Sequence, residues 1–397
     1  MSTKSAFAAN AASHGHGRIW IYRPVNAPTL PFPSTLSSLQ GLSSVQMCPL
    51  PKKTASMAPE KRLYNLFPSG QRPADSLLKI HNLKADFYRE QFNQRVPKND
   101  ADARIEKRSV GSTRGLREVD VTIYFPEAKN STEENETSIL DGICLHVHGG
   151  GWLWGDSCHQ VAHRCLEMAR RLNVAVVSVD YSLLCADNAS FNPVADVVTA
   201  LKWIEDNGAT ELGTDQAFVA SGESSGAHLL LLAMLHRRDE RKHESRLQSL
   251  WRCLNLVYGV YDLSGTPSVS HDSETSSPLC GNELLWLYDL YCKRVANKDC
   301  SQSDRKNPYL SPLYADLSAL PPALVTVGTA DPLLDDSLLL ASKYNAYGND
   351  LEVVVIEDGE HGIGHFGVQE NETAGNLARD YTIRFMNRYL EKHHRLT

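Results

Sequence analysis

Short continuous apolar runs recur along the chain, each followed by a glycine-rich or polar break and then by a segment whose apolar residues return at helical spacing. Ile143 to Val147, Val174 to Val179, Phe218 to Ser221, Cys253 to Tyr258, Ala323 to Val327 and Leu351 to Ile356 are apolar at nearly every position. That is the pattern of strands covered on both faces. Between them, Val161, Cys165, Met168 and Leu172 mark one face of a helix. A second helix has Asn192 as its cap and Pro193 in its first turn, carries Val194, Val197, Val198 and Leu201, and is expected to stop at Gly208. Ala227 to Met234 and Leu235 has the composition of a buried helix, and Leu377, Tyr381, Phe385 and Tyr389 form the stripe of a last one. This alternation predicts an α/β fold with a mostly parallel central sheet, helices on both faces and function at the carboxyl edge of the strands.

Two segments fall outside the alternation. Residues 76–110, with a helix expected near 76–95, and residues 264–304 are expected as cap elements of a single domain spanning 61–397. Within the second, Leu284 to Tyr291 is a bulky apolar stretch suited to walling a substrate from water, which makes Trp286 and Tyr288 candidate pocket residues, although core packing explains them equally. Residues 1–60 differ in kind. The first 59 hold no Asp or Glu, five Lys or Arg and many Ser, Pro and Ala, and the expectation is a disordered N-terminal extension. A mitochondrial transit peptide and a start at Met57 are the alternatives.

Composition narrows the partners. A formal charge of -7 and a pI near 6.1 offer no basic field for a nucleic acid. No apolar stretch reaches the roughly 20 residues that span a bilayer. Nine scattered cysteines without paired spacing argue against a disulfide framework and for a cytoplasmic location. No secretory h-region is evident, so the Asn-x-Ser/Thr matches at Asn130, Asn135, Asn188 and Asn371 are read as incidental. Oligomeric state is not legible.

The chemistry is concentrated in two glycine-framed runs, His148-Gly149-Gly150-Gly151-Trp152 and Gly222-Glu223-Ser224-Ser225-Gly226. The second follows an apolar strand and precedes a helix, the context in which Gly-x-Ser-x-Gly turns sharply and presents its serine as a nucleophile. The first leaves a strand as a glycine loop, so the amides of Gly149 and Gly150, joined by that of Ser225, are candidate donors to an oxyanion. Trp152 lines the acyl site or braces this loop. A serine needs a base, and the base an orienting acid. Asp331 stands at the end of one predicted strand and His361 after the next, so the order Ser, Asp, His is that of an α/β-hydrolase. Asp331, Asp335 and Asp336 can each cap the helix that follows, and His365 competes with His361. His146 and His148 share a strand face without an evident third ligand, and neither a metal nor another cofactor is expected.

From about residue 141 to 388 the chain resembles the hormone-sensitive-lipase-like carboxylesterases of the α/β-hydrolase fold. The two glycine-framed runs carry the resemblance with Asn307-Pro308-Tyr309-Leu310-Ser311-Pro312-Leu313, Leu320-Pro321-Pro322-Ala323, Asp331-Pro332-Leu333 and His361-Gly362. It implies Ser224 as nucleophile, Asp331 as orienting acid, His361 as base, a cap over the serine and a small-molecule ester as substrate. The chain departs from the family at Glu223, Ser225, Ile363 and the stretch Ser182 to Asp187, none of which removes a catalytic group. Ala227-His228 is similar to kynurenine formamidases, leaving an arylformamidase-like amide hydrolase as one alternative. A ligand-binding protein on a hydrolase scaffold is another, disfavoured by the presence of His361.

Overall fold

The computed structural model describes residues 7–13, 18–24, 104–111, 118–126, 140–185, 191–214, 217–241, 250–271, 279–363 and 373–394. Its centre is a sheet of ten strands: β1 Phe7–Ser13, β2 Arg18–Pro24, β3 Ile105–Val110, β4 Val119–Tyr124, β5 Gly142–Val147, β6 Val174–Val179, β7 Phe218–Glu223, β8 Trp251–Val257, β9 Ala323–Gly328 and β10 Leu351–Ile356. The spatial order is β1-β2-β10-β9-β8-β7-β5-β6-β4-β3. The six strands β5 to β10 are mutually parallel, with β4 and β3 antiparallel at one edge and β2 and β1 antiparallel at the other.

Alternate residues of the parallel strands feed two cores, which is why their sequences read as apolar throughout. One core takes Ile143, Leu145, Val177, Ala220, Leu256 and Val325. It is covered by α2 Pro193–Leu212, α3 Ser225–Glu240 and α7 Leu334–Ala346. The other takes Cys144, Val176, Val219, Cys253, Leu324 and Val354, under α1 Ala162–Leu172 and α8 Thr373–His394. Of the remaining helices, α4 Pro267–His271 and α5 Gly281–Ala296 fall inside the 264–304 segment and α6 Gln302–Arg305 runs one residue past it, and α5 packs on the glycine loop through Tyr288 and Tyr291 against Trp152. Among the described residues no helix is long and apolar enough to cross a membrane.

Three expectations are corrected. The N-terminal extension is not wholly disordered, because Arg18–Pro24 adds to the edge of β10 in register from Tyr22 opposite Val353 to Ile19 opposite Ile356. Ile19 and Ile21 go into the α8-side core, and the buried Arg23 donates to Tyr381 Oη on α8 at 2.7 Å. A compact run of β-branched and aromatic residues overrides the surrounding low-complexity composition. The 76–110 segment does not end as a cap, since Ile105–Val110 is β3; the helix expected near 76–95 lies outside the described residues, as does His365. Finally, α2 does not stop at Gly208 but runs to Leu212, with Gly213 as its left-handed C-cap. Gly208 is there for contact: a Cβ on it would meet Ile143 Cδ1 on β5 at 2.7 Å.

Candidate active site

Ser224 stands between β7 and α3 with φ 53° and ψ -123°, a backbone conformation that a residue with a Cβ adopts only when its surroundings enforce it. Two features enforce it. The Ser224 amide donates to Val257 O at 2.9 Å, tying the turn to β8. Gly226 passes so close to β5 that a Cβ there would lie 2.2 Å from Val147 O and 2.3 Å from His148 O. The elbow is therefore wedged between its two neighbouring strands.

The three candidate side chains come together. Ser224 Oγ lies 3.1 Å from His361 Nε2, and His361 Nδ1 lies 3.1 and 3.0 Å from the two carboxylate oxygens of Asp331. All three residues are buried, with Ser224 7% exposed. In this order the carboxylate fixes the proton on Nδ1, leaving Nε2 free to accept the serine proton. The loops bearing acid and base are stitched to each other. Ala330 N donates to Gly359 O at 3.0 Å, Thr329 N to Ile356 O at 2.9 Å, and Asp358 N to Thr329 Oγ1 at 2.9 Å. Gly328 lets them meet, because a Cβ there would sit 2.0 Å from Gly359 O.

Asp331 also serves as the rival reading had it, accepting from Leu333 N at 2.8 Å. Asp335 and Asp336 are committed elsewhere. Asp335 accepts from Ser268 N at 2.8 Å, and Asp336 accepts from the amides of Tyr261 and Asp262 and the hydroxyl of Thr266 at 2.6, 2.9 and 2.7 Å. Both carboxylates tie α7 to the segment from Tyr261 to Ser268.

The glycine loop lies beside the serine, for a Cβ on Gly149 would be 3.2 Å from Ser224 Cβ. Its peptides are aimed by residues that the motif does not announce. Tyr181 Oη donates to His148 O at 3.0 Å, and His148 Nδ1 donates to Gly149 O at 2.7 Å. In a trans peptide the N-H points opposite to the carbonyl, so holding these two carbonyls turns the amides of Gly149 and Gly150 the other way. Among the described residues no acceptor is bonded to the amides of Gly149, Gly150 or Ser225. His148 also stacks on Tyr181 with ring centroids 4.2 Å apart, and burial holds its pKa below the usual histidine value, keeping it neutral.

Trp152 and Tyr288 do not line a pocket in this structure. Both are 0% exposed and so present no surface to a ligand. Trp152 Nε1 instead donates to His228 Nδ1 at 3.2 Å, and His228 Nε2 donates to Leu310 O at 2.7 Å. His228 thus bolts the glycine loop to the Asn307–Leu313 motif. Burial lowers its pKa to about 4, and with both ring nitrogens engaged and no exposure it is a neutral strut. Tyr291 packs on Trp152 with centroids 4.5 Å apart. Trp286, on the same helix, is only partly buried and packs against the α2-side core.

Behind His361 lies a second group missed in the sequence. The ring of Tyr258 meets the imidazole edge-on with centroids 4.7 Å apart, and Tyr258 Oη donates to Glu223 Oε2 at 3.1 Å. Glu223 Oε1 lies 3.6 Å from His146 Nε2. His146 is buried under the sheet edge and held mainly neutral by that burial, so it belongs to this packing and not to a metal site with His148.

A sheet that presents a serine elbow at the end of β7, an acid after β9 and a histidine after β10 defines a hydrolase of the α/β class. The alpha/beta hydrolase fold family matches residues 144–365, and the chain belongs to that family. Carboxylesterase NlhH of Mycobacterium tuberculosis is 29% identical over 252 residues, covering 63% of this chain and 72% of its own length. The ethyl acetate hydrolase of Pseudomonas putida is 27% identical, covering 77% of this chain and 91% of its own. Among solved structures, the thermostable carboxylesterase EstE1 from a metagenomic library superposes with a TM-score of 0.64 at 26% identity, over 79% of this chain and 98% of that one.

Proposed function

We propose that the protein hydrolyses carboxylic esters of small or medium acyl groups through a covalent acyl-enzyme. The single observation that carries this reading is the continuous path from Ser224 Oγ through His361 to Asp331, with bonds of 3.0 to 3.1 Å. Ser224 attacks the ester carbonyl as its proton passes to His361 Nε2. Asp331 steadies the imidazolium. The negative charge on the former carbonyl oxygen falls to the amides of Gly149, Gly150 and Ser225, each such donor being worth about 3–4 kcal/mol in the transition state. His361 then protonates the departing alkoxide, and water activated by the same imidazole releases the acid. The relatives named carboxylesterase and ethyl acetate hydrolase support an ester carbonyl as the point of attack. None of these steps calls for a metal or an organic cofactor.

The amide-hydrolase alternative drew on Ala227-His228, and that histidine has no reach to a substrate in its strut position. A cytoplasmic location is supported by the eight described cysteines, all with free thiols. A single domain, to which Arg18–Pro24 contributes a strand as well as residues 61–397, with its cap at 264–304, is part of the same proposal. Turnover of acetyl, butyryl and octanoyl p-nitrophenyl esters beside N-formylkynurenine tests the reading. Ester hydrolysis that falls with chain length, with no formamide turnover, is the expected outcome. Formamide turnover exceeding all three esters would overturn it.

A further inference from the structure

The turn just beyond the glycine loop gathers a carboxylate, a thiol and an imidazole at the surface. Asp156 Oδ2 lies 3.1 Å from His159 Nδ1, and that nitrogen lies 3.1 Å from Cys158 Sγ. One donor atom from each residue lies within 4.8 Å of the other two. The turn itself is rigidly seated. Ser157, in its middle, donates through its amide and its hydroxyl to the two oxygens of Asp180, both at 2.6 Å, and its carbonyl accepts from Tyr124 Oη at 2.6 Å. Asp156 Oδ1 accepts from the amides of Cys158 and His159, which leaves Oδ2 turned to the other two donors. Ser157 is fully buried, whereas Asp156 and Cys158 are half-buried and His159 is exposed.

A separate observation shows that this spot holds positive charge. Lys107, on β3 and distant in sequence, places Nζ 3.3 Å from Cys158 Sγ. Its long side chain is exposed and free to swing away.

We propose that Asp156, Cys158 and His159 form a binding site for a thiophilic divalent cation, zinc before magnesium or calcium. Oxygen, nitrogen and sulfur ligands at zinc bond lengths of about 2.0–2.3 Å in a tetrahedron lie roughly 3.2–3.8 Å apart. The two separations from His159 Nδ1, both 3.1 Å, need to open by only a few tenths of an ångström, and the carboxylate and thiol donors lie within 4.8 Å of each other. Sulfur and imidazole nitrogen select zinc or cobalt over hard cations, which prefer all-oxygen sites. On binding, the Cys158 S–H bond gives its proton to solvent, the thiolate and the Asp156 carboxylate balance the two positive charges, and neutral His159 gives the Nδ1 lone pair. Water completes the fourth position. The ammonium of Lys107, now facing a cation, leaves.

Lys107 gives the proposal its sharpest test, because it competes with the metal for the same donors. Cobalt(II) added to the full chain is the probe, since a thiolate ligand produces a charge-transfer band in the near ultraviolet. The wild type should show that band, Cys158→Ser should abolish it, and His159→Ala should weaken cobalt binding at least tenfold. Lys107→Met should tighten binding severalfold. Ester turnover in metal-free buffer, unchanged in Cys158→Ser, reports that the variant is folded independently of the metal result. A wild type without the band, a band that survives in Cys158→Ser, or weaker cobalt binding in Lys107→Met would each overturn the proposal.

Discussion

Two walls flank Ser224, and they are held by different means. On one side the loops of Asp331 and His361 are joined backbone to backbone, with Gly328 and Gly359 in near contact and short hydrogen bonds across them. On the other, the glycine loop is held by groups from remote parts of the chain: Tyr181 after β6, His228 on α3 with the carbonyl of Leu310 after α6, and Tyr291 on α5. In the proposed mechanism the first wall sets proton transfer, and the second sets where the proposed oxyanion donors point. Damage to the first should appear in the chemical step with the fold intact, and damage to the second in stability and donor placement together.

The largest effect belongs to the serine between the walls. Ser224→Ala should lower kcat by about a thousandfold or more, with an unchanged melting temperature. Next comes the first wall: Asp331→Asn should cost about 10³–10⁴ in kcat by favouring the wrong imidazole tautomer. Asp335→Asn, which disturbs only the bond from Ser268 N, should stay within a few-fold of wild type. If Asp335→Asn proved the more damaging, the acid has been assigned wrongly.

The second wall is tested by His228→Leu, which leaves Trp152 Nε1 and Leu310 O buried without partners. Each orphaned group costs about 1–3 kcal/mol, so chemical denaturation should show a loss of about 2–6 kcal/mol. The effect on kcat should be well below that of Asp331→Asn. The same histidine predicts a pH dependence. Its folded pKa, near 4, is depressed below the ordinary 6.5, so the unfolded chain binds the extra proton between those values. The stability it contributes is complete above about pH 6.5 and is lost as pH falls toward 4, a slope worth of order 3 kcal/mol. His228→Leu should flatten that part of the profile, and an equally steep one would show that His228 is not buried neutral. The smallest effect is expected from Tyr258→Phe, which keeps the ring against His361 but removes the bond to Glu223. It should cost about 1 kcal/mol of stability and leave kcat within about threefold.

The same contrast explains what could be read before the fold was known. The parallel strands were legible because burial on both faces demands continuous apolar runs, and Leu351–Ile356 and Val174–Val179 match their predicted bounds. Ser224, Asp331 and His361 were legible because each follows such a strand within a few residues. The struts were not, since a lone Tyr181 or His228 carries no local signal of the carbonyl or indole it meets far away in sequence. Trp152 and Tyr288 suggested a pocket wall by their size, yet bulk is equally what closes a void beneath a glycine loop. For β2 the signal was present in Ile19, Trp20, Ile21 and Tyr22, but the strand is short and its surroundings are rich in proline and serine. The Asp156, Cys158 and His159 set was also there to be read, as neighbours with no repeat of metal-ligand spacing to mark them.

The central claim is that Ser224, activated by His361, forms the bond to the acyl group. Reaction of the protein with a fluorophosphonate followed by peptide mass analysis tests it most directly. One adduct per chain on the peptide holding Ser224, with esterase activity lost in proportion and no adduct on Ser224→Ala, is the predicted result. An adduct on a different residue, or full ester turnover by protein labelled at Ser224, would contradict it.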